Sequence, residues 1–341
     1  RWATTEEILA GKWRFGTEPG QLYLGERGGV RLGRKDDRHQ ITIGGSRTGK
    51  GVSLIVPTLL TYEGSVVAID IKGELARETA TARAKYLGAK VIVLDPFGVS
   101  RRPSASFNPL AEIKRTVEGF DEPYPLAVED AAAIAESLIV QSSSEAHWSD
   151  AARILVQALV LMALLDAEEH QNLVTVRNML TLRDRSLNSI QAEHACSREE
   201  ALFRYMTQDE FQDAFHGLIA GVGNQFLGMG EKERGSILST ARTQTAFLDS
   251  PQLQATLRRS DFTLADVKRG NTSLYLCLPS RYLGAQFRWL RMVVSMTLQE
   301  CERIEQNPPL PVLFVLDEFA MLNKMDVVLK AAGHMAGFGV K

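Results

Sequence analysis

The sequence predicts an α/β domain built on a parallel sheet and interrupted by an all-α insertion. Three observations carry the prediction. Short β-branched apolar runs ending in a polar residue stand in the two flanks of the chain, as strands covered on both faces require. Between them lie helix-period stretches, and that alternation means a parallel sheet. Charge divides the chain in the same way: residues 1–120 carry a formal +6, residues 121–233 carry −12 and residues 234–341 carry +4, within an overall −2.

In chain order, "HQITIGG" (39–45) is expected as a short strand and "KGVSLIVPTLL" as the helix after it. "SVVAID" (65–70) and "KVIVLD" (90–95) read as strands around the helix "GELARETATARAKYLG", which stops at Gly88. The middle has only helical periodicity, in "YPLAVEDAAAIAESLIV", "SDAARILVQALVLMALLDAEEH" and "NLVTVRNMLTLRDRSLNSIQ". Ser149 is the expected N-cap of the second of these, after a loop-like joint, "QSSSEAHW" (141–148). Strands return with "SLYLCLP" (273–279) and "PVLFVLD" (311–317). The expected boundaries are 1–114 for the first part of the α/β domain, 115–245 for the insertion and 246–341 for the second part.

Composition is that of an ordinary globular chain: 341 residues, 45% apolar and 23% charged. Cys196, Cys277 and Cys301 are odd in number and scattered, which predicts reduced thiols and a cytosolic setting. The longest apolar run, residues 154–165, contains Gln157 and is too short to span a bilayer. The six histidines lack metal-ligand spacing, and Ser46 and Ser53 lack a His/Asp arrangement for nucleophilic catalysis. His147 and Trp148 read as fixing the joint before a helix. The chain begins at Arg1 and reads as a piece of something longer.

Residues 44–50, "GGSRTGK", spell the phosphate loop G-x-x-x-x-G-K in the strand–loop–helix context it needs. Glycines let backbone N–H groups turn inward around phosphates, and the helix N-terminus adds partial positive charge. Gly44, Gly45, Ser46, Arg47, Thr48, Gly49, Lys50, Gly51 and Val52 are the candidate nucleotide contacts, with Lys50 bridging β- and γ-phosphates. Gly51 stands where Ser or Thr commonly holds Mg²⁺, so the metal must rely on Asp317, phosphates and water. "VLFVLDEFAML" (312–322) matches a Walker B strand, with Asp317 as metal ligand and Glu318 polarising the attacking water. Asp70, at a strand end in "AIDIKGE", faces the ligand crevice of an open α/β sheet, the structural alternative being that Lys72 and Glu74 cap the following helix and pair with each other. Arg234 and Arg242, in "EKERGSILSTARTQ", are candidates for the cation that steadies a γ-phosphate.

Together, "RWATTEEI", "GGSRTGKGVSLIVPTLLTYEGSVVAIDIKGE", "SFNPL", "HWSDAAR", "ERGSILSTA" and "VLFVLDEFAML" resemble the VirD4/TraG coupling-protein ATPases of type IV secretion and conjugation. The resemblance covers almost the whole chain. It implies a RecA-like P-loop ATPase domain with an inserted all-α domain, using ATP and Mg²⁺. It further implies a homo-hexamer on the cytoplasmic face of the bacterial inner membrane, beside the secretion-channel proteins. Such a ring delivers relaxase-bound single-stranded DNA or effector proteins. Lys50, Asp317 and Glu318 fall on the family's Walker positions, and Asp70, Lys72 and Glu74 on its "DxKGE" signature.

The family normally starts with a membrane-spanning segment and continues past Lys341 into a strand that lies between the phosphate-loop and Walker B strands. Without that strand each neighbour would leave backbone groups unpaired, at about 1–3 kcal/mol per group. The expectation is therefore a fragment whose isolated ATPase activity is weak or nil. The acidic insertion is expected to receive basic protein substrates, adaptors or relaxosome proteins, and the basic core to contact DNA. Two alternatives stand beside the motor: a docking receptor that binds nucleotide and barely hydrolyses it, and an FtsK-like duplex-DNA translocase.

Overall fold

The computed structural model describes residues 4–11, 13–36, 38–45, 48–113, 119, 121, 123–141, 146–317 and 335–341. The chain divides into two compact units: residues 1–105 with 263–290 and 294–341, and residues 106–262 with 291–293.

The first unit opens with helix α1 (Thr5–Ala10), started by a capping box in which Thr4 and Glu7 satisfy each other's backbone N–H. Strands β1 (Leu22–Arg27) and β2 (Val30–Arg34) form an antiparallel hairpin. Its two-residue turn, Gly28-Gly29, has φ of 58° and 76°, left-handed values that only glycine adopts without cost. Helix α2 (Val56–Thr61) follows the glycine loop, and β3 (Val66–Asp70) leads into α3 (Glu74–Leu87). Gly88, at φ 65°, ends α3 where its sequence predicts, and β4 (Lys90–Leu94) follows at once.

The helical unit holds α4 (Ala127–Leu138), α5 (Ala146–Leu164), α6 (Leu173–Leu180), α7 (Leu187–His194) and α8 (Arg198–Met206). It continues with α9 (Asp209–Gln212), α10 (Leu218–Gly228), α11 (Glu231–Gln244) and α12 (Pro251–Leu257). Among its described residues there is no strand, as the periodicity predicts. The apolar run 154–165 lies in α5, the central helix, against α4, α6, α10 and α11. Among the described residues no helix is long and apolar enough to cross a membrane.

Two expectations are corrected here. Ser149 is not an N-cap: it is buried within α5, which already runs from Ala146. The unit boundaries fall at 105/106 and 262/263 rather than at 114/115 and 245/246. The reason is a paired stem built from "SFNPL". Ser106 N donates to Asp261 Oδ2 at 2.7 Å and Phe107 N to Thr256 O at 2.8 Å, while the Phe107 and Phe262 rings stack 5.5 Å apart. Asn108 N donates to Ser260 Oγ, and its side chain caps the next turn at Leu110 N. These bonds close the helical unit on itself.

The chain then adds α13 (Ala265–Arg269), β5 (Thr272–Cys277), the long α14 (Ser280–Arg303) and β6 (Leu313–Val315). The main sheet is parallel, in the order β4-β5-β3-β6. Every residue of β3 and β5 is buried, because helices cover both faces. Leu59, Tyr62, Leu75, Ala76 and Ala80 pack on this sheet from α2 and α3.

The other edge of β6 is taken up by residues 339–341. Val312 N donates to Gly339 O at 2.8 Å, and Phe314 N to Lys341 O at 2.7 Å. The expected unpaired Walker B edge is thus paired over these residues. Residues 39–45, by contrast, are not a strand: they join no sheet, and Ile41 and Ile43 are 85% and 93% exposed. Their alternation of apolar and polar residues suits a strand, but no neighbouring strand among the described residues receives it.

Candidate functional site: the glycine loop and the carboxyl edge of the sheet

The glycine loop is held by its own side chains. Thr48 Oγ1 donates to Gly45 O at 2.9 Å, and Lys50 Nζ folds over the loop to donate to Gly44 O at 2.8 Å. Gly49 has φ 82°, so a side chain is strained there, and its carbonyl accepts both Ser53 N (2.8 Å) and Ser53 Oγ (2.6 Å). Ser46, Arg47 and Glu318 lie outside the described residues.

The turn after the loop is a π-turn over Gly51–Ile55, in which Val56 N reaches back to Gly51 O. Pro57 accounts for it. Proline has no N–H, and in a regular helix its ring collides with the carbonyl four residues back, here that of Ser53. Widening the turn by one residue removes the clash, and α2 continues from Val56. Val52 is 81% exposed beside the loop, and a Cβ on Gly51 would meet nothing within 4 Å. Backbone N–H groups, one lysine and no obstructing side chain at Gly51 fit a polyphosphate.

The far end of α2 is fixed by a residue that the sequence reading did not single out. Arg83, on α3, is fully buried. It donates from Nε to Ser273 Oγ (2.6 Å), from Nη1 to Leu59 O (2.6 Å) and Tyr62 O (2.8 Å), and from Nη2 to Gly64 O (2.7 Å). It thereby satisfies the last carbonyls of α2 and ties them to β5. Burial lowers its pKa, and it nonetheless stays cationic. Arg83 stands three and four residues after the buried Ala80 and Thr79, so its place on the apolar face of α3 was readable from spacing.

Asp70 and Asp317 stand at the same carboxyl edge of the sheet. β3 and β6 pair with Ala68 opposite Val315, and each aspartate lies two residues further along its chain. Asp317 follows the strand in a turn. Asp70 is 2% exposed, and its Oδ2 accepts Ala76 N at 2.8 Å. Burial raises its pKa, partly offset by backbone N–H groups at the start of α3. Asp70 thus holds the first turn of α3. Lys72 and Glu74 are both exposed and form no ion pair with each other.

The "DxKGE" glycine has its own reason. Gly73 has φ 67°, and a Cβ on it would sit 2.5 Å from Val99 C, Val99 O and Ser100 N. The partner turn is gripped by Asp95 at the end of β4, which accepts from Val99 N (3.0 Å), Ser100 N (2.7 Å) and Ser100 Oγ (2.6 Å). Two aspartates ending two strands thus lock two loops, and Asp95 carries the same strand-end signal in "KVIVLD".

Arg234 and Arg242 both lie on α11 of the helical unit. Arg242 is engaged there: Nε donates to Leu180 O at 2.7 Å and Nη1 to Glu199 Oε1 at 2.8 Å. Arg177 answers from α6, donating to Arg242 O at 2.7 Å while holding Asp249 through two nitrogens. Arg234 is half-buried, and its Nε has no hydrogen-bond partner among the described residues. Among the described residues no group of three or more His, Cys, Asp or Glu is placed to hold a metal.

A parallel sheet, a glycine loop opening a helix and aspartates at the strand ends define a RecA-like nucleotide-binding α/β fold, here carrying an all-α insertion. Its match among solved structures includes the conjugative coupling protein TrwB in its unbound form, with a TM-score of 0.65 at 16% identity over 95% of this chain and 64% of that one. TrwB in complex with the non-hydrolysable ATP analogue ADPNP gives 0.51 at 14% identity, over 97% and 74% of the two chains. The chain belongs to the family described as Type IV secretory system Conjugative DNA transfer, whose model matches residues 2–341. It is 28% identical to conjugal transfer protein TraG of Escherichia coli, over 89% of this chain and 47% of that protein. It is 27% identical to protein VirD4 of Rhizobium rhizogenes, over 95% and 44%. The chain thus spans about half the length of the curated relatives it matches.

Proposed function

We propose that this chain is the nucleotide-binding core and substrate-receiving insertion of a coupling-protein ATPase. In that role it recruits relaxase-bound single-stranded DNA or effector proteins and drives them to a type IV secretion channel by ATP hydrolysis. The observation that carries the reading is a phosphate loop with Lys50 folded over it, in a chain whose length is matched almost throughout by the conjugative DNA transfer family. Lys50 and the loop N–H groups would hold the nucleotide phosphates, as the TrwB complex with an ATP analogue supports. Asp317 would hold Mg²⁺ largely through water, because Gly51 offers no hydroxyl. Glu318 would orient the attacking water.

The insertion, with −12 over residues 121–233, suits basic protein substrates, adaptors or relaxosome proteins. The basic flanks suit DNA. Arg234 is the better finger candidate, because Arg242 is held by Leu180 and Glu199. In its complete form the protein is proposed as a hexamer at the cytoplasmic face of the bacterial inner membrane, beside the channel proteins. The test compares wild type with Lys50→Ala and Glu318→Gln in the complete protein. Nucleotide binding should be lost in the first and kept in the second, and substrate transfer should fail in both. Transfer that survives Glu318→Gln would show a docking receptor rather than a motor.

A further inference from the structure

The loops that leave β4 and β5 carry exposed groups that neither the glycine loop nor the helix caps use. These strands are neighbours, with Leu94 opposite Leu276, so their following loops meet at the carboxyl edge, where ligands of open α/β sheets collect. The β4 loop carries Phe97, half-buried, and the first turn of α14 carries Tyr282, 38% exposed. Their ring centroids are 4.9 Å apart at 43°, and the Arg281 guanidinium lies 4.9 Å over the Tyr282 ring. Arg281 is exposed and has no carboxylate partner among the described residues. Arg101, exposed in the same loop as Phe97, has none either among the described residues. The loop is preorganised, because Asp95 grips its backbone at Val99 and Ser100.

A scattered exposed aromatic needs no explanation. Two packed rings topped by a guanidinium with no carboxylate partner among the described residues are different, because they gather π faces and positive charge at one place. Single-stranded nucleic acid presents both complements, unstacked bases and phosphates, whereas a duplex hides its base faces. The flanks to which these residues belong carry +6 and +4.

We propose that Phe97, Tyr282 and Arg281 form a stacking platform for single-stranded DNA. This rests on the reading of the protein as one that handles single-stranded DNA. The test measures anisotropy of a labelled oligothymidylate with the full chain, its variants, and a labelled duplex as control. Tyr282→Ala and Arg281→Gln should each weaken single-strand binding about tenfold, while Tyr282→Phe stays near wild type. Nucleotide binding should be unchanged in all three. In Tyr282→Trp, emission from the added indole should be quenched by the oligonucleotide, a stacking signature that charge alone does not produce. Wild-type affinity in both Tyr282→Ala and Arg281→Gln, or unquenched Tyr282→Trp at saturation, would overturn the platform and leave the proposed function standing. No single-strand binding by the wild type would overturn both.

Discussion

Arg83 gives the sharpest test of how the glycine loop is supported. Its guanidinium makes four bonds of 2.6–2.8 Å, three of them fully buried, and all to neutral acceptors. Arg83→Met keeps most of the volume and removes every donor. The Leu59 and Tyr62 carbonyls and the Ser273 hydroxyl then lose their partner inside the protein, whereas Gly64 O, at a partly open site, is rescued by water. An unsatisfied buried polar group costs about 1–3 kcal/mol, and partial relaxation favours the low end of that range. Three such groups give roughly 4 kcal/mol, in the range of breaking a buried network. Arg83→Lys keeps the charge but lacks the planar fork, so it should cost about half as much, ~2 kcal/mol. Denaturant unfolding of the full chain in a Trp148→Phe background checks both, read by Trp13 and Trp289 in the α/β unit so that the helical unit does not mask the transition. A loss below about 1 kcal/mol in Arg83→Met would refute the reasoning, because it would mean that the α2 carbonyls find water without it.

The other predictions concern the same loops. Gly73→Ala forces a Cβ to 2.5 Å from the Val99–Ser100 backbone at φ 67°, and should cost about 3 kcal/mol by thermal or chemical denaturation. Gly51→Ser meets open space, so nucleotide affinity measured by titration should change less than about threefold. Asp70 is held above the usual carboxylate range by burial, so it binds its proton more tightly folded than unfolded. Its stabilising contribution is complete below its unfolded value of 3.8 and is lost as pH rises through the folded one. Asp70→Asn keeps an acceptor for Ala76 N and removes that loss. Relative to wild type it should therefore gain stability as pH rises above the unfolded value of 3.8 in urea titrations.

Much of this architecture was legible because the signals were physical and local. "SVVAID", "KVIVLD" and the "SLYLCLP" run became β3, β4 and β5 because apolar residues without alternation suit only a strand with both faces covered. "HQITIGG" shows where that logic stops. A strand exists only with a partner, and pairing is a property of the sheet rather than of the segment, so Ile41 and Ile43 stay exposed despite their alternation. The insertion was visible from charge and period, but its edges were not, since the stem of Ser106, Phe107 and Asp261 joins residues far apart in sequence. Ser149 misled for a related reason: a serine before an apolar run marks a helix start only if the chain upstream is not already helical. The glycine loop was legible as a turn that opens a helix, yet its support was not. Arg83 acts on Leu59, Tyr62 and Gly64 through backbone carbonyls, which carry no side-chain signature. Only its spacing from Ala80 and Thr79 betrayed a buried position, and that spacing says where the guanidinium lies without saying what it holds. The division is general for this fold. Phosphate-binding groups are written in the residues that touch the ligand, whereas the rigidity that makes them useful is written in contacts between segments.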